Sequence, residues 1–310
     1  PTVIMDNIYV AFSSIALLAA MQLDVFTPLG DGGMDGKALS DYLGLQEDKL
    51  SPVLSSLAAI GLLKMEGNQY LNSDEAAAFL VKGRPEYLGE LSGFYTALLE
   101  MVLKTASSVR TGQPQAKHYF HNLSEEELSA YFRKQIHSSL KAGHDISERF
   151  DFSPYSSLLD AGGGAGGVSM ALCQKNPHLK ATVADLPKVA GLAESFIGEA
   201  ALSDRINVSP TDLCLYPPPG KYDAAIARAL IQTLSREDAS LCLGHISQAL
   251  VPGGRIFIFG NVMDDSRTGP PSALAFSLVF LNTYDRGKAY TEKEYRQMLA
   301  EAGFTDIAIQ

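Results

Sequence analysis

Leu158-Leu159-Asp160-Ala161-Gly162-Gly163-Gly164-Ala165-Gly166-Gly167 decides how this chain folds. Leu158-Leu159 reads as a short strand that ends at Asp160, and a helix is expected from about Gly166 to Lys175. The glycines between them suit a tight turn and let backbone come close to a ligand, because they carry no Cβ and take positive φ freely. A plain packing turn would use fewer of them. In a doubly wound sheet ligands bind beyond the carboxyl ends of the strands, so this loop is the candidate ligand site.

Downstream the pattern is regular. Strands are expected at Ala181–Asp185, Ile206–Val208, Ala224–Ala227 and Arg255–Phe259, the last entered through Pro252-Gly253-Gly254. Helices are expected over about 236–250 and 292–302, and a final strand at Asp306–Ile309. Strands alternating with helices at this spacing give an α/β fold with a parallel, Rossmann-like sheet.

Upstream the chain is mainly helical. Residues 5–22 read as a helix with small and apolar residues on nearly every face, which must be buried in its own core or against a partner. Leu39 and Leu43 mark a short helix stopped by Gly44, and Leu54, Leu57 and Ile60 mark a second, ended by Gly61. Leu62–Met65 and Gln69–Leu71 form a hairpin around Glu66-Gly67-Asn68, completing a winged-helix pattern. Its second helix carries Lys49 beside Asp48 and has no Arg, Asn or Gln to read base edges, which argues against DNA binding. Residues 86–150 are helical again; Ser124 followed by acids starts a long helix with a break expected at Gly143. The domains are therefore set at 1–100, 101–150 (connecting helices lining a substrate pocket) and 151–310.

Composition narrows the function. At 310 residues with 46% apolar side chains, the chain can bury a large core. A formal charge of −10, with no basic patch in the local sequence, points away from nucleic acid and towards a small-molecule partner. Cys173, Cys214 and Cys242 are odd in number and show no CxxC spacing, as expected of reduced, buried thiols. No signal peptide is visible, no apolar run is read as membrane-spanning, and a cytoplasmic location is expected.

The glycine loop alone leaves two cofactors open. Gly162, Gly164 and Gly167 satisfy GxGxxG, the dinucleotide fingerprint, so an NAD-linked oxidoreductase is one reading. Three features favour S-adenosyl-L-methionine (SAM). The loop sits mid-chain behind a helical half. Its glycines are crowded, leaving room for a methionine moiety rather than a pyrophosphate. Asp185 ends the next strand, where it suits a ribose diol, and Asp212 follows the third strand, where it suits an adenine amino group.

Leu159-Asp160-Ala161-Gly162-Gly163-Gly164, Asp185-Leu186-Pro187, Thr211-Asp212-Leu213, Pro252-Gly253-Gly254-Arg255 and Ala302-Gly303-Phe304 together resemble the small-molecule O-methyltransferases of the caffeate and acetylserotonin type, with their bacterial polyketide and carotenoid relatives. The resemblance covers nearly the whole chain. It implies a class I methyltransferase fold, with Gly162 and Gly164 lining the methionine part of SAM. Asp185 would take the ribose, Asp212 and Leu213 the adenine, and Arg228 a further cofactor contact. It also implies a homodimer through the N-terminal helices.

The same resemblance exposes a departure. The family's catalytic His falls at Gln232, and the acids that orient it fall at Gly260 and Ala289. A glutamine cannot act as a general base near neutral pH, though it can position a substrate by hydrogen bonds. Three explanations follow: an acceptor that needs no strong base, a different base such as His137, or SAM binding without transfer, as in a sensor. His137 and His144 share a helix face, with His118 and His121 just before it, but a metal site is not expected. Asn282 and Tyr290 are candidates for the acceptor's wall. The expected function is SAM-dependent methylation of oxygen or carbon on a small aromatic or conjugated metabolite.

Overall fold

A computed structural model describes residues 2–30, 32–116 and 124–310. The chain divides into two compact units, residues 1–103 and 104–310.

In the first unit, α1 (Thr2–Gln22) and α2 (Phe26–Leu29) precede the two-residue strand β1 (Met34–Asp35). Asp35 caps α3 (Gly36–Leu43) by accepting from the Ala38 N–H, and Gly44 closes that helix in the left-handed region, as a C-terminal glycine does. Then come α4 (Glu47–Ala59), β2 (Leu63–Glu66), β3 (Gln69–Asn72), α5 (Asp74–Phe79) and α6 (Ser92–Val102). The strands pair antiparallel in the order β1-β3-β2. The helix–helix–hairpin order expected from the sequence is present. Leu39, Leu50, Leu54 and Leu57 form its core with Ala20, Val25, Phe26 and Leu29.

Only the last part of α1 joins that core. Val3, Ile4, Ile8, Val10, Phe12 and Ile15 stand exposed, against a single buried residue, Ala20. By length and composition α1 could cross a membrane, with a mean hydropathy of 1.8, so the expectation of no such run is corrected. The core helix of a soluble protein and a signal sequence pass the same test.

The second unit opens with α7 (Thr105–Thr111) and α8 (Glu125–Arg149), whose Ser124–Glu127 capping box satisfies orphan backbone donors at both residues. α8 runs through Gly143 without a break. That glycine serves close packing instead: a Cβ there would lie 2.6 Å from the Ala171 Cβ and 3.0 Å from the Val168 Cα. The sheet follows: β4 (Ser157–Ala161), α9 (Gly167–Lys175), β5 (Lys180–Asp185), α10 (Pro187–Glu199), β6 (Ile206–Pro210), β7 (Tyr222–Arg228), α11 (Arg236–Ala249) and β8 (Leu250–Phe259). The ladder steps from Leu250 opposite Tyr222 to Arg255 opposite Ala224, so the Pro252-Gly253-Gly254 turn bulges out inside β8. Last come α12 (Pro271–Thr283) and α13 (Glu292–Glu301). α10 and α12 had no expected counterpart in the sequence.

Strand order is β6-β5-β4-β7-β8, all parallel. Alternate residues of β4 face different cores: Leu158 packs with Ile136, Val168, Leu172 and Ile197 on one side, Leu159 with Cys242, Leu243, Ile246 and Met298 on the other. The final strand is not formed. Ile307 and Ile309 are half-buried against the second of these cores, but 306–309 joins no ladder; Asp306 takes φ +53 and the Ile307 carbonyl accepts from Arg296. Period-two burial is present in a segment that pairs with no strand.

Candidate functional site

The order of the sheet reverses at β4, which pairs with β5 on one side and β7 on the other. That reversal is the switch point where open α/β sheets bind ligands. Two loops flank it: the glycine turn after β4, and Ala229–Leu234 after β7.

Gly162, Gly164 and Gly166 have φ of +66, +57 and +80. A Cβ on Gly162 would meet Leu230 at 2.9 Å, and one on Gly164 would meet Phe132 at 3.0 Å. The loop is thus held both by conformation and by its neighbours from α8 and from beyond β7. Asp185 fixes it from the side. Its Oδ2 accepts from the Gly164 N–H at 2.8 Å and its Oδ1 from the Leu186 N–H at 2.7 Å. Burial raises the Asp185 carboxyl above its ordinary value, and the two N–H donors pull it back. Each oxygen keeps a lone pair after these bonds.

Under the turn lies a group the sequence reading passed over. Asp160 is 1% exposed, and its Oδ2 accepts from Ser169 at 2.7 Å. A Cβ on Gly163 would lie 2.6 Å from its Cγ, so the second glycine makes room for a buried acid. Burial pushes its carboxyl up to about 6, Ser169 opposes that, the charge of Asp185 adds to it, and Arg228 lowers it. Arg228 ends β7, half-buried. Burial lowers its own pKa against the pull of Asp160, and its guanidinium makes no hydrogen bond among the described residues. An acid two residues before a glycine run was the available signal for this network.

Asp212 is half-buried, with Oδ1 accepting from the Cys214 N–H at 2.9 Å. Leu213, expected beside it at the adenine, is 6% exposed and packs in the core with Ala184 and Leu243. Its carbonyl meets His245 Nδ1 at 2.8 Å.

Beyond β7, Ala229 has φ +57 and Ile231–Thr233 forms one 3-10 turn, which carries Gln232. The Gln232 side chain is 5% exposed, and its Oε1 accepts from the Asn261 N–H at 3.0 Å. A Cβ on Gly260 would fall on that same Oε1. Ala289 is 1% exposed. Neither position offers a carboxylate.

Other expected acceptor residues are placed elsewhere. Tyr290 is 0% exposed; its hydroxyl donates to the Leu234 carbonyl at 2.7 Å, and burial raises it to about 12. Asn282 is also 0% exposed and spends its amide on Ser108, Thr105 and the Leu278 carbonyl. Both hold the fold together instead of facing a ligand. His137 and His144 lie on the exposed face of α8, beside the buried Ile136 and Gly143. His118 and His121 lie outside the described residues. Among the described residues no group of three or more His, Cys, Asp or Glu could hold a metal ion.

The five-stranded parallel sheet, preceded by a mainly helical N-terminal unit, is that of the class I methyltransferase fold. The sequence profile of the O-methyltransferase domain matches residues 104–305, and the chain belongs to that family. It is a SAM-dependent methyltransferase. The tetracenomycin polyketide synthesis 8-O-methyl transferase TcmO of Streptomyces glaucescens is 29% identical, over 96% of this chain and 89% of that protein. The L-tyrosine C(3)-methyltransferase of Streptomyces lavendulae is 29% identical over 95% and 84%. The solved structure of the S-adenosylmethionine-dependent methyltransferase SibL superposes with a TM-score of 0.81 at 24% identity, over 99% and 94%. The dinucleotide alternative raised by GxGxxG is set aside by this membership.

Proposed function

We propose that the protein transfers a methyl group from SAM to an oxygen or carbon of a small aromatic or conjugated metabolite, without a side-chain general base. The observation that carries this reading is the neutral pair at the switch point, Gln232 against Gly260. Relatives named for O- and C-methylation of aromatic molecules support the acceptor class.

The residues fit the cofactor. Asp185 has lone pairs for a ribose diol, the glycine turn gives backbone access to the methionine moiety, Arg228 has free donors for its carboxylate, and Asp212 stands on the adenine side. SAM, when bound, supplies an electrophilic methyl on a sulfonium. The chain's own part is to bind, to align an acceptor with that methyl and to exclude water. Gln232 contributes orientation and no proton uptake.

The N-terminal helices complete the assembly in this reading. The exposed apolar residues of α1 exceed what a lone soluble chain leaves uncovered, and a second copy of the chain covers them. Light scattering is expected to give a dimer in detergent-free buffer; a monomer there, or a requirement for detergent, contradicts this part.

Labelled methyl transfer from SAM into phenolic and enolic metabolites tests the whole, with calorimetry on S-adenosylhomocysteine (SAH) beside it. Labelled product and micromolar-range SAH binding are expected. Binding without product from any acceptor favours a sensor and contradicts the proposal.

A further inference from the structure

We propose that Gln232 is a positioning residue that donates an amide N–H to a negatively charged oxygen of the acceptor, and that the enzyme therefore selects acceptors bound as phenolates or enolates. This rests on the methyltransferase reading above and names the ionic form of its acceptor.

The direction of the amide follows from chemistry. A backbone N–H can only donate, so the Gln232 atom facing the Asn261 N–H is the oxygen, and Nε2 faces the other way. Gln232 is 5% exposed, and its Nε2 has no partner among the described residues. That donor is not sealed from solvent, so the oxygen of a bound acceptor can reach it. Gln232 stands on the loop after β7, beside Leu230, which packs on Gly162 of the glycine turn. The unpaired donor therefore lies at the switch point, beside the glycine turn.

Gly260 holds the amide in this direction. Any side chain at 260 would place its Cβ on the Gln232 oxygen and break the bond to Asn261. The two positions act as one unit: an oxygen seated where a Cβ would be, and an N–H₂ group turned outward. Behind them stands Tyr295, 3% exposed, whose hydroxyl has no hydrogen-bond partner among the described residues and lies 3.6 Å from the place of that Cβ. Burial raises the Tyr295 phenol, which keeps it neutral. Neither Gln232 nor Tyr295 supplies a charge that would repel an anion or a base that would make one. A hydrogen bond from an amide to an anionic oxygen is stronger than one to a neutral hydroxyl, so the donor favours the ionised acceptor.

The experiment uses full-length protein saturated with SAH and 4-nitrophenol, whose phenolate is yellow and whose neutral form is not. At a pH where the free probe is mostly neutral, wild type is expected to enrich the bound phenolate about tenfold or more. Gln232→Glu keeps the oxygen that meets Asn261 but replaces the donor with a carboxylate, and is expected to abolish the enrichment. Gly260→Ala is expected to do the same by displacing the amide. Both variants are expected to retain SAH binding, which shows that they fold. No phenolate enrichment by wild type overturns the proposal, as does equal enrichment by wild type and Gln232→Glu. Failure of wild type to bind SAH would instead overturn the function on which it rests.

Discussion

The two loops at the switch point have the same address and opposite characters. The turn after β4 is charged and tied down: Asp185 bonds to Gly164, Asp160 lies beneath Gly163, and Arg228 closes the set. The loop after β7 presents a neutral amide against a glycine. In the proposed reading the cofactor's edge carries the groups its ligand needs, whereas the acceptor's edge carries none that would handle a proton. The difference separates binding a sulfonium donor, which needs fixed polar contacts, from activating an acceptor, which needs a base only when the acceptor arrives protonated.

The comparison breaks most visibly at Asp185. Asp185→Ala removes both the acceptor that fixes Gly164 and the proposed ribose ligand. SAH affinity by calorimetry is expected to fall about 100-fold, the scale of a charged hydrogen bond. An affinity within a few-fold of wild type would remove Asp185 from the site.

Asp160 sharpens the charged side. Its carboxyl is raised from 3.8 to about 6, which corresponds to about 3 kcal/mol against its ionised form. For an acid raised on folding, this contribution is most favourable below the unfolded value and is lost as pH rises through the folded one. Asp160→Asn should therefore melt near wild type at about pH 4 and above it at about pH 8, in protein without cofactor. A difference independent of pH would contradict the burial argument.

Gly143 tests the packing behind the turn. Gly143→Ala pushes a Cβ into Ala171 and the Val168 backbone, and is expected to cost about 1–3 kcal/mol in chemical denaturation. No loss would mean that α8 is free to move away from α9.

The smallest effect is expected where the family resemblance suggests the largest. Gln232→His places an imidazole at 232, but Gly260 and Ala289 supply no acid to orient it. Turnover of a neutral phenol is expected to rise no more than about threefold above wild type, since an unaligned base contributes little. A large gain would show that the acceptor's edge lacks nothing but the histidine.

The same contrast governs what the sequence could tell. Glycines with positive φ and acids at strand ends are local requirements, so the turn after β4 was legible from Gly162, Gly164 and Asp185. The strands of the parallel sheet were legible for a similar reason. The acceptor's edge depends on contacts between residues far apart in the chain. Nothing local to Gly260 says that the Gln232 oxygen fills its side-chain space, and nothing local to Tyr290 or Asn282 says that each is buried and already bonded. Gly143 was misread as a helix break because its reason lies on another helix. The last strand was misread because alternation of Ile307 and Ile309 records burial on one side, which a strand without a ladder shares.

The absence of a base is tested most directly by the rate of methyl transfer across substituted phenols of graded acidity, at one pH and saturating SAM. The rate is expected to follow the ionised fraction of the acceptor, falling about tenfold for each unit by which its pKa exceeds the pH. A rate that stays level into the range of unactivated phenols would require a base at the site and contradict the account.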